Sequence, residues 1–176
     1  MLGRCIGATV IAAALFAAAP SRGAVVAVAP SDTAVTLGDT VTVRVETTGV
    51  PDLKGFQLVY AYTSPRLQFV GATAGDVLAQ GAGDYFEYVL PDVAPPDSVW
   101  YDAARLDGTS SGPGVLAFFT FVATSEGFAH VGCRHIEFRD SANQASFPTC
   151  LGGLIRVIGP VPSRPASWPR LKGLYR

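Results

Sequence analysis

The sequence predicts an all-β domain, a sandwich or jelly roll of nine short strands, on three observations. Apolar residues alternate with polar or small ones over runs of five to ten residues, the period-two mark of a strand. Clusters of glycine, proline and aspartate separate those runs. Each is a turn signal with a mechanism, because glycine reaches positive φ and proline fixes φ. No 3.6-residue periodicity is sustained beyond the N-terminal leader.

The predicted strands, in order, are 24–28, 40–47, 56–62, 67–73, 85–90, 99–106, 115–124, 130–138 and 154–158. Between them lie Gly38-Asp39, Val50-Pro51-Asp52, Ser64-Pro65, Gly81 to Asp84, Ala94 to Asp97, Asp107-Gly108 and Ser111 to Gly114. Short strands so punctuated suit a sandwich and not a parallel sheet.

Two stretches are the most informative. Residues 53–72, LKGFQLVYAYTSPRLQFVGA, read as a strand, a Ser64-Pro65 corner and a second strand. Phe56, Leu58, Tyr60 and Tyr62 share one face, which requires a core. Gln57, Val59 and Ala61 share the other, which is neither charged nor fully apolar. In Val115 to Ala123, the set Val115, Ala117, Phe119, Phe121 and Ala123 is placed inward. The alternate set, Leu116, Phe118, Thr120 and Val122, is too apolar for a solvated face. Together with Gln57, Val59 and Ala61 it predicts an outer sheet surface partly covered by a loop, the N-terminal strand or a partner.

The flanks differ from the body. Residues 1–23 have the layout of a secretory signal peptide: Arg4, an apolar run from Cys5 to Ala19, then Pro20-Ser21-Arg22-Gly23. Cleavage fits before Ala24 or after Ala19, and the alternative is an uncleaved anchor. The run is short for a membrane span, and no later segment reaches the roughly 20 apolar residues that a transmembrane helix needs. The sandwich occupies 24–159. Residues 160–176 form a proline-rich linker and a short basic, aromatic tail. Trp168 to Arg176 looks like the endings of some secreted bacterial proteins, which suggests sorting or attachment to an anionic surface; the alternative is a frayed end without function.

Charge and cysteines narrow the classes. Two basic residues lie in the leader and four in the tail, which leaves seven against all 14 acids in 24–159, a net of −7. An acidic body is the reverse of a nucleic-acid-binding footprint. Cys5 departs with the leader. Cys133 and Cys150 remain as an even pair in a chain bound for an oxidising compartment. A disulfide between two late strands, or a strand and its following loop, would contribute about 3 kcal/mol in the chain-entropy model. The alternative, a metal site of His130, Cys133 and His135, lacks a fourth ligand at familiar spacing. Strand alternation also puts His130 opposite the other two.

Catalytic patterns are missing. No serine sits in a G-x-S-x-G elbow, and no glycine loop opens a helix to cradle phosphate. Most aspartates lie in turns, where they bend the chain. The Asp107 to Gly112 loop is a turn, too poor in oxygen ligands for a dedicated calcium loop. The expectation is a non-catalytic module without cofactor or metal of its own.

Two longer strings carry a resemblance: LGDTVTVRVETTGVPDLKGFQLVYAYTSPRLQFVGATAGDVL, then WYDAARLDGTSSGPGVLAFFTFVATSEG. In order and spacing they resemble the cohesin domain, the receptor module of bacterial scaffolding proteins. The first contains a Tyr-x-x-Pro-x-Leu corner at Tyr62 to Leu67, and the second holds an A-A-R-L-D-G turn with a G-x-L-A-x-x-T-F-x-A strand. The resemblance covers most of residues 35–158. It implies a nine-stranded jelly-roll β-sandwich exported from a bacterium, secreted or at the cell surface. It also implies a partner, since cohesins grip dockerins, small helical modules that carry their own calcium, on one flat sheet face. That face would hold Gln57, Val59, Ala61 and Arg105. Gly55 and Gln57 stand where type I members commonly have Asn-x-Asp, and Arg105 where an acid is frequent.

A second reading comes from the cellulose- and chitin-binding modules of similar fold. Such modules stack coplanar aromatic rings on sugars. Trp100 and Tyr101 would do so here, with Tyr85, Phe86 and Tyr88 nearby, and the ligand would be a polysaccharide. A third is a structural surface domain with neither ligand.

Overall fold

The computed structural model of the chain describes residues 23–79, 83–91 and 97–160. The signal-peptide reading, apart from Gly23, and the tail reading beyond Pro160 fall outside those residues.

The strands are β1 (Val25–Pro30), β2 (Ala34–Thr36), β3 (Thr40–Leu53), β4 (Gly55–Tyr62), β5 (Leu67–Ala74), β6 (Tyr85–Pro91), β7 (Ser98–Arg105), β8 (Ser110–Ala123), β9 (Gly127–Arg139), β10 (Ala145–Ser146), β11 (Thr149–Leu151) and β12 (Gly153–Ile158), with a one-turn helix α1 (Asp76–Ala79) after β5. They form two packed sheets. The first runs β11-β1-β3-β8-β5, and the second β2-β12-β9-β4-β7-β6, with β10 attached to β9. The β1–β11 and β12–β2 pairs are parallel, and the others antiparallel.

All nine predicted runs form strands. The other three, β2, β10 and β11, have two or three residues each, too few for a period to be read. The expected breaks at 50–52 and 111–114 lie instead inside a long β3–β8 ladder. Shifts of register at Val45/Glu46, Thr47/Val50 and Val50/Leu53 accommodate their glycines and prolines.

The core lies between the sheets. Phe56, Leu58, Tyr60 and Tyr62 are buried, as their alternation requires. Tyr60 of one sheet stacks on Phe119 of the other at 4.2 Å. Tyr101 stacks on Phe56 and meets Phe119 edge-on, both at 5.7 Å. Such aromatic pairs contribute about 0.5–1.5 kcal/mol each beyond the area they bury. Ala117, Phe119, Phe121 and Ala123 point inward as predicted, but Leu116 is fully buried and Val115 half-buried, the reverse of the expectation. The cause is a bulge: Val45 faces Ala117 and the next residue, Glu46, faces Val115, so Leu116 is the extra residue and the alternation changes phase.

The cysteines pair as predicted. Cys133 lies opposite Tyr60 in the β4–β9 ladder, and Cys150 opposite Val26 in the β1–β11 ladder. Both partners face the core, so the Cys133–Cys150 bridge ties the second sheet to the edge of the first across 6.0 Å between Cα atoms.

Candidate partner-binding face

The outer surface of β9-β4-β7-β6 is built by the same alternation that fills the core. Cross-strand pairing arranges it in rows. His135, Val59, Trp100 and Leu90 form one row; Glu137, Gln57, Asp102 and Tyr88 the next; Arg139, Gly55, Ala104 and Phe86 a third. Ala61 continues β4 beyond the first row, opposite Ser98 and Gly132.

Gln57, Val59 and Ala61 are therefore neighbours on one half-buried outer stripe. Phe118 and Val122, also half-buried, sit on the outer face of the other sheet. The two near-apolar rows expected to share one covered surface thus lie on opposite sides of the molecule. The second sheet carries the larger apolar display: Phe86, Tyr88 and Leu90 are 51%, 48% and 43% exposed. Their neighbours Trp100 and Val59 are half-buried.

Polar groups punctuate this surface. Glu137 is paired with Arg139 and lies 3.8 Å from His135, all three on the same side of β9. Asp102 keeps a sheltered carboxylate oxygen without a hydrogen-bond partner. Gly55 keeps the third row flat, since a Cβ there would come within 2.9 Å of both the Ala103 carbonyl oxygen and the Ala104 Cβ. Any side chain at this position would force β4 and β7 apart.

Two expected site residues are elsewhere. Arg105 is 6% exposed and points into the sandwich. Its Nη1 donates to the Leu78 carbonyl at 2.9 Å and its Nε to the Asp107 carbonyl at 3.0 Å, which ties α1 to the turn after β7. It is one register position past the outer face, so it belongs to the core. Tyr101 is fully buried, with its hydroxyl donating to Glu87 at 2.8 Å. Burial first, then that hydrogen bond and the carboxylate charge, push its pKa well above the ordinary tyrosine range. No sugar can stack on it. Tyr85 likewise pairs with Arg105 on the inner side of β6, whereas Phe86 and Tyr88 lie on the face with Trp100.

The bulge at Arg134 also changes the histidine expectation. Val59 faces His135 and Tyr60 faces Cys133, so His130 and His135 share the outer side and Cys133 alone turns inward. Among the described residues, no group of three or more His, Cys, Asp or Glu is placed to hold a metal ion. In the loop after β7, the Leu106 and Gly108 carbonyls accept from Lys54 Nζ at 3.1 and 3.2 Å, and the Asp107 carbonyl from Arg105. These oxygens already serve side-chain cations.

Leu90, Asp102 and Glu137 were not singled out from the sequence. The alternation in Tyr85 to Leu90 does group Phe86, Tyr88 and Leu90. What places them beside Trp100 and Gln57 is strand pairing, which has no local signal.

No protein-family model matches the chain, and no curated protein matches it. Solved structures do. A non-cellulosomal cohesin from the archaeon Archaeoglobus fulgidus superposes with a TM-score of 0.63 at 15% identity, over 77% of this chain and 91% of that one. The second type II cohesin module of the adaptor scaffoldin of Acetivibrio cellulolyticus gives 0.67 at 12% identity, over 85% and 98%. A type I cohesin–dockerin complex from Clostridium thermocellum gives 0.62 at 17%, over 78% and 94%. The chain has the cohesin fold.

Proposed function

We propose that the chain is a non-catalytic, secreted binding module that takes a dockerin-type protein on the outer face of β9-β4-β7-β6. The observation that carries this reading is the flat, mixed surface of Gln57, Val59, Ala61, Trp100 and Asp102, in a fold shared with cohesins solved in complex with dockerins. The apolar rows supply burial, and the sheltered Asp102 oxygen supplies an acceptor for a partner's donor. Calcium belongs to the partner. Residues 24–159 form the module, residues 1–23 direct export, and residues 160–176 serve sorting or attachment to an anionic surface.

The test is capture. Immobilised protein is exposed to the secreted fraction of its own organism, with calcium or with chelator, beside a panel of insoluble polysaccharides. Calcium-dependent retention of a dockerin-bearing protein supports the reading. Retention on a polysaccharide with no protein captured replaces it with carbohydrate binding, which the placement of exposed Phe86 and Tyr88 beside half-buried Trp100 on one face favours as the second reading. Deleting residues 160–176 should release the protein from the cell surface; unchanged retention removes the role given to the tail.

A further inference from the structure

The two sheets have four edges, and three carry a device against pairing with another chain. β2 and β11 have three residues each. β5 is broken by a bulge between Phe69 and Gly71. β6 is neither short nor bulged, and its one charged residue, Glu87, is turned to the inner side and already engaged there. Its seven residues pair with β7 in unbroken register, and its far edge has no strand partner among the described residues. It contains no lysine or arginine, and its single proline is the last residue. Its outward row of Phe86, Tyr88 and Leu90 is apolar and about half exposed.

We propose that β6 pairs antiparallel with β6 of a second copy, about a two-fold axis at Tyr88, to make a homodimer with one continuous sheet. The sequence of the strand suits this occupant. Centred on Tyr88, the pairing sets Phe86 opposite Leu90 of the second copy, Tyr88 opposite Tyr88, and Glu87 opposite Val89. One apolar row then crosses the axis and no two like charges are directly opposed. Glu87 is held on the inner side by the Tyr101 hydroxyl and the Ala74 amide, at 2.8 and 3.0 Å, away from its symmetry mate. Such an interface is isologous and closes at two copies. Its consequence is bivalency: two copies present their two outer faces side by side on one surface. The pairing does not depend on which ligand that face takes.

The protein used is the chain from Ala24 to Arg176, which retains both sheets and the core between them. Light scattering coupled to size exclusion should give twice the monomer mass. Tyr88→Lys, at an exposed position, should give the monomer mass with an unchanged circular dichroism spectrum and a melting temperature that no longer rises with protein concentration. Tyr88→Cys should become a covalent dimer under mild oxidation, because directly opposed residues of an antiparallel pair have Cα atoms within disulfide reach. Val70→Cys, exposed on β5, should not. A monomer at every concentration tested overturns the proposal. So does a dimer that Tyr88→Lys leaves intact, or one that Tyr88→Cys does not cross-link, since either places the contact elsewhere.

Discussion

Replacing both Cys133 and Cys150 by serine removes the bridge between the sheets, and the cost follows from the loop it closes. The two cysteines are 17 residues apart. The chain-entropy relation gives about 3 kcal/mol for a loop of that length. Spread over the unfolding entropy of a domain this size, that predicts a fall in melting temperature of about 10 °C. The loss should also be local. β11 is three residues long and hydrogen-bonds only to β1 in its sheet, so the bridge is its main tie to β9. Scanning calorimetry reads the first quantity and amide hydrogen exchange the second. Exchange should accelerate at Thr149 to Leu151 and at the facing Val25 to Ala27, while the β4–β7 ladder stays protected. A melting temperature within about 3 °C of the parent, or unchanged exchange in β11, would refute an inter-sheet constraint of this size.

Four further outcomes are expected. Val59→Asp, on the outer stripe, should abolish dockerin capture with less than about 1 kcal/mol lost in stability by urea titration; full capture would move the interface off β4. Arg105→Met should destabilise by roughly 3 kcal/mol, because the Leu78 carbonyl and the Ser110 hydroxyl lose a buried charged donor, and a loss below about 1 kcal/mol in the same titration would return Arg105 to the surface. Trp100→Ala should leave the fold intact, and loss of polysaccharide retention in that variant would support the carbohydrate reading. Burial raises the pKa values of Tyr60 and Tyr101 above the ordinary tyrosine value of about 10. The stability linked to their neutral forms is complete below that value and falls as pH rises above it, by about 1.4 kcal/mol per unit for each group. Tyrosinate absorbance should therefore show two hydroxyls that ionise only as the circular dichroism signal is lost; ionisation of all tyrosines before unfolding would show that these two are not sealed in the core.

The strands themselves were legible because each needs only a local period. The four apolar residues of β4, the inward set from Ala117 to Ala123 and the pairing of Cys133 with Cys150 all follow from alternation, turn residues and parity of cysteines. Bulges broke the reading where it failed. One extra residue at Leu116 inverted the faces of Val115 and Leu116, and one at Arg134 brought His130 and His135 to the same side. A bulge satisfies a long ladder against a distant partner strand, so no neighbour in sequence announces it.

The candidate face divides in the same way. By itself the sequence determined that β4 has a core side and an unusual second side, and that the body is acidic and all-β. Only the tertiary structure decided which strands flank β4, and thus that Asp102, Glu137, Tyr88 and Leu90 complete the surface. It also decided that Tyr101 and Arg105 face inward: the first fills the aromatic core and the second satisfies carbonyls under α1. A strand's period separates its two sides, but which side is inner depends on the sheet it joins, and that is set by contacts between residues far apart in the chain.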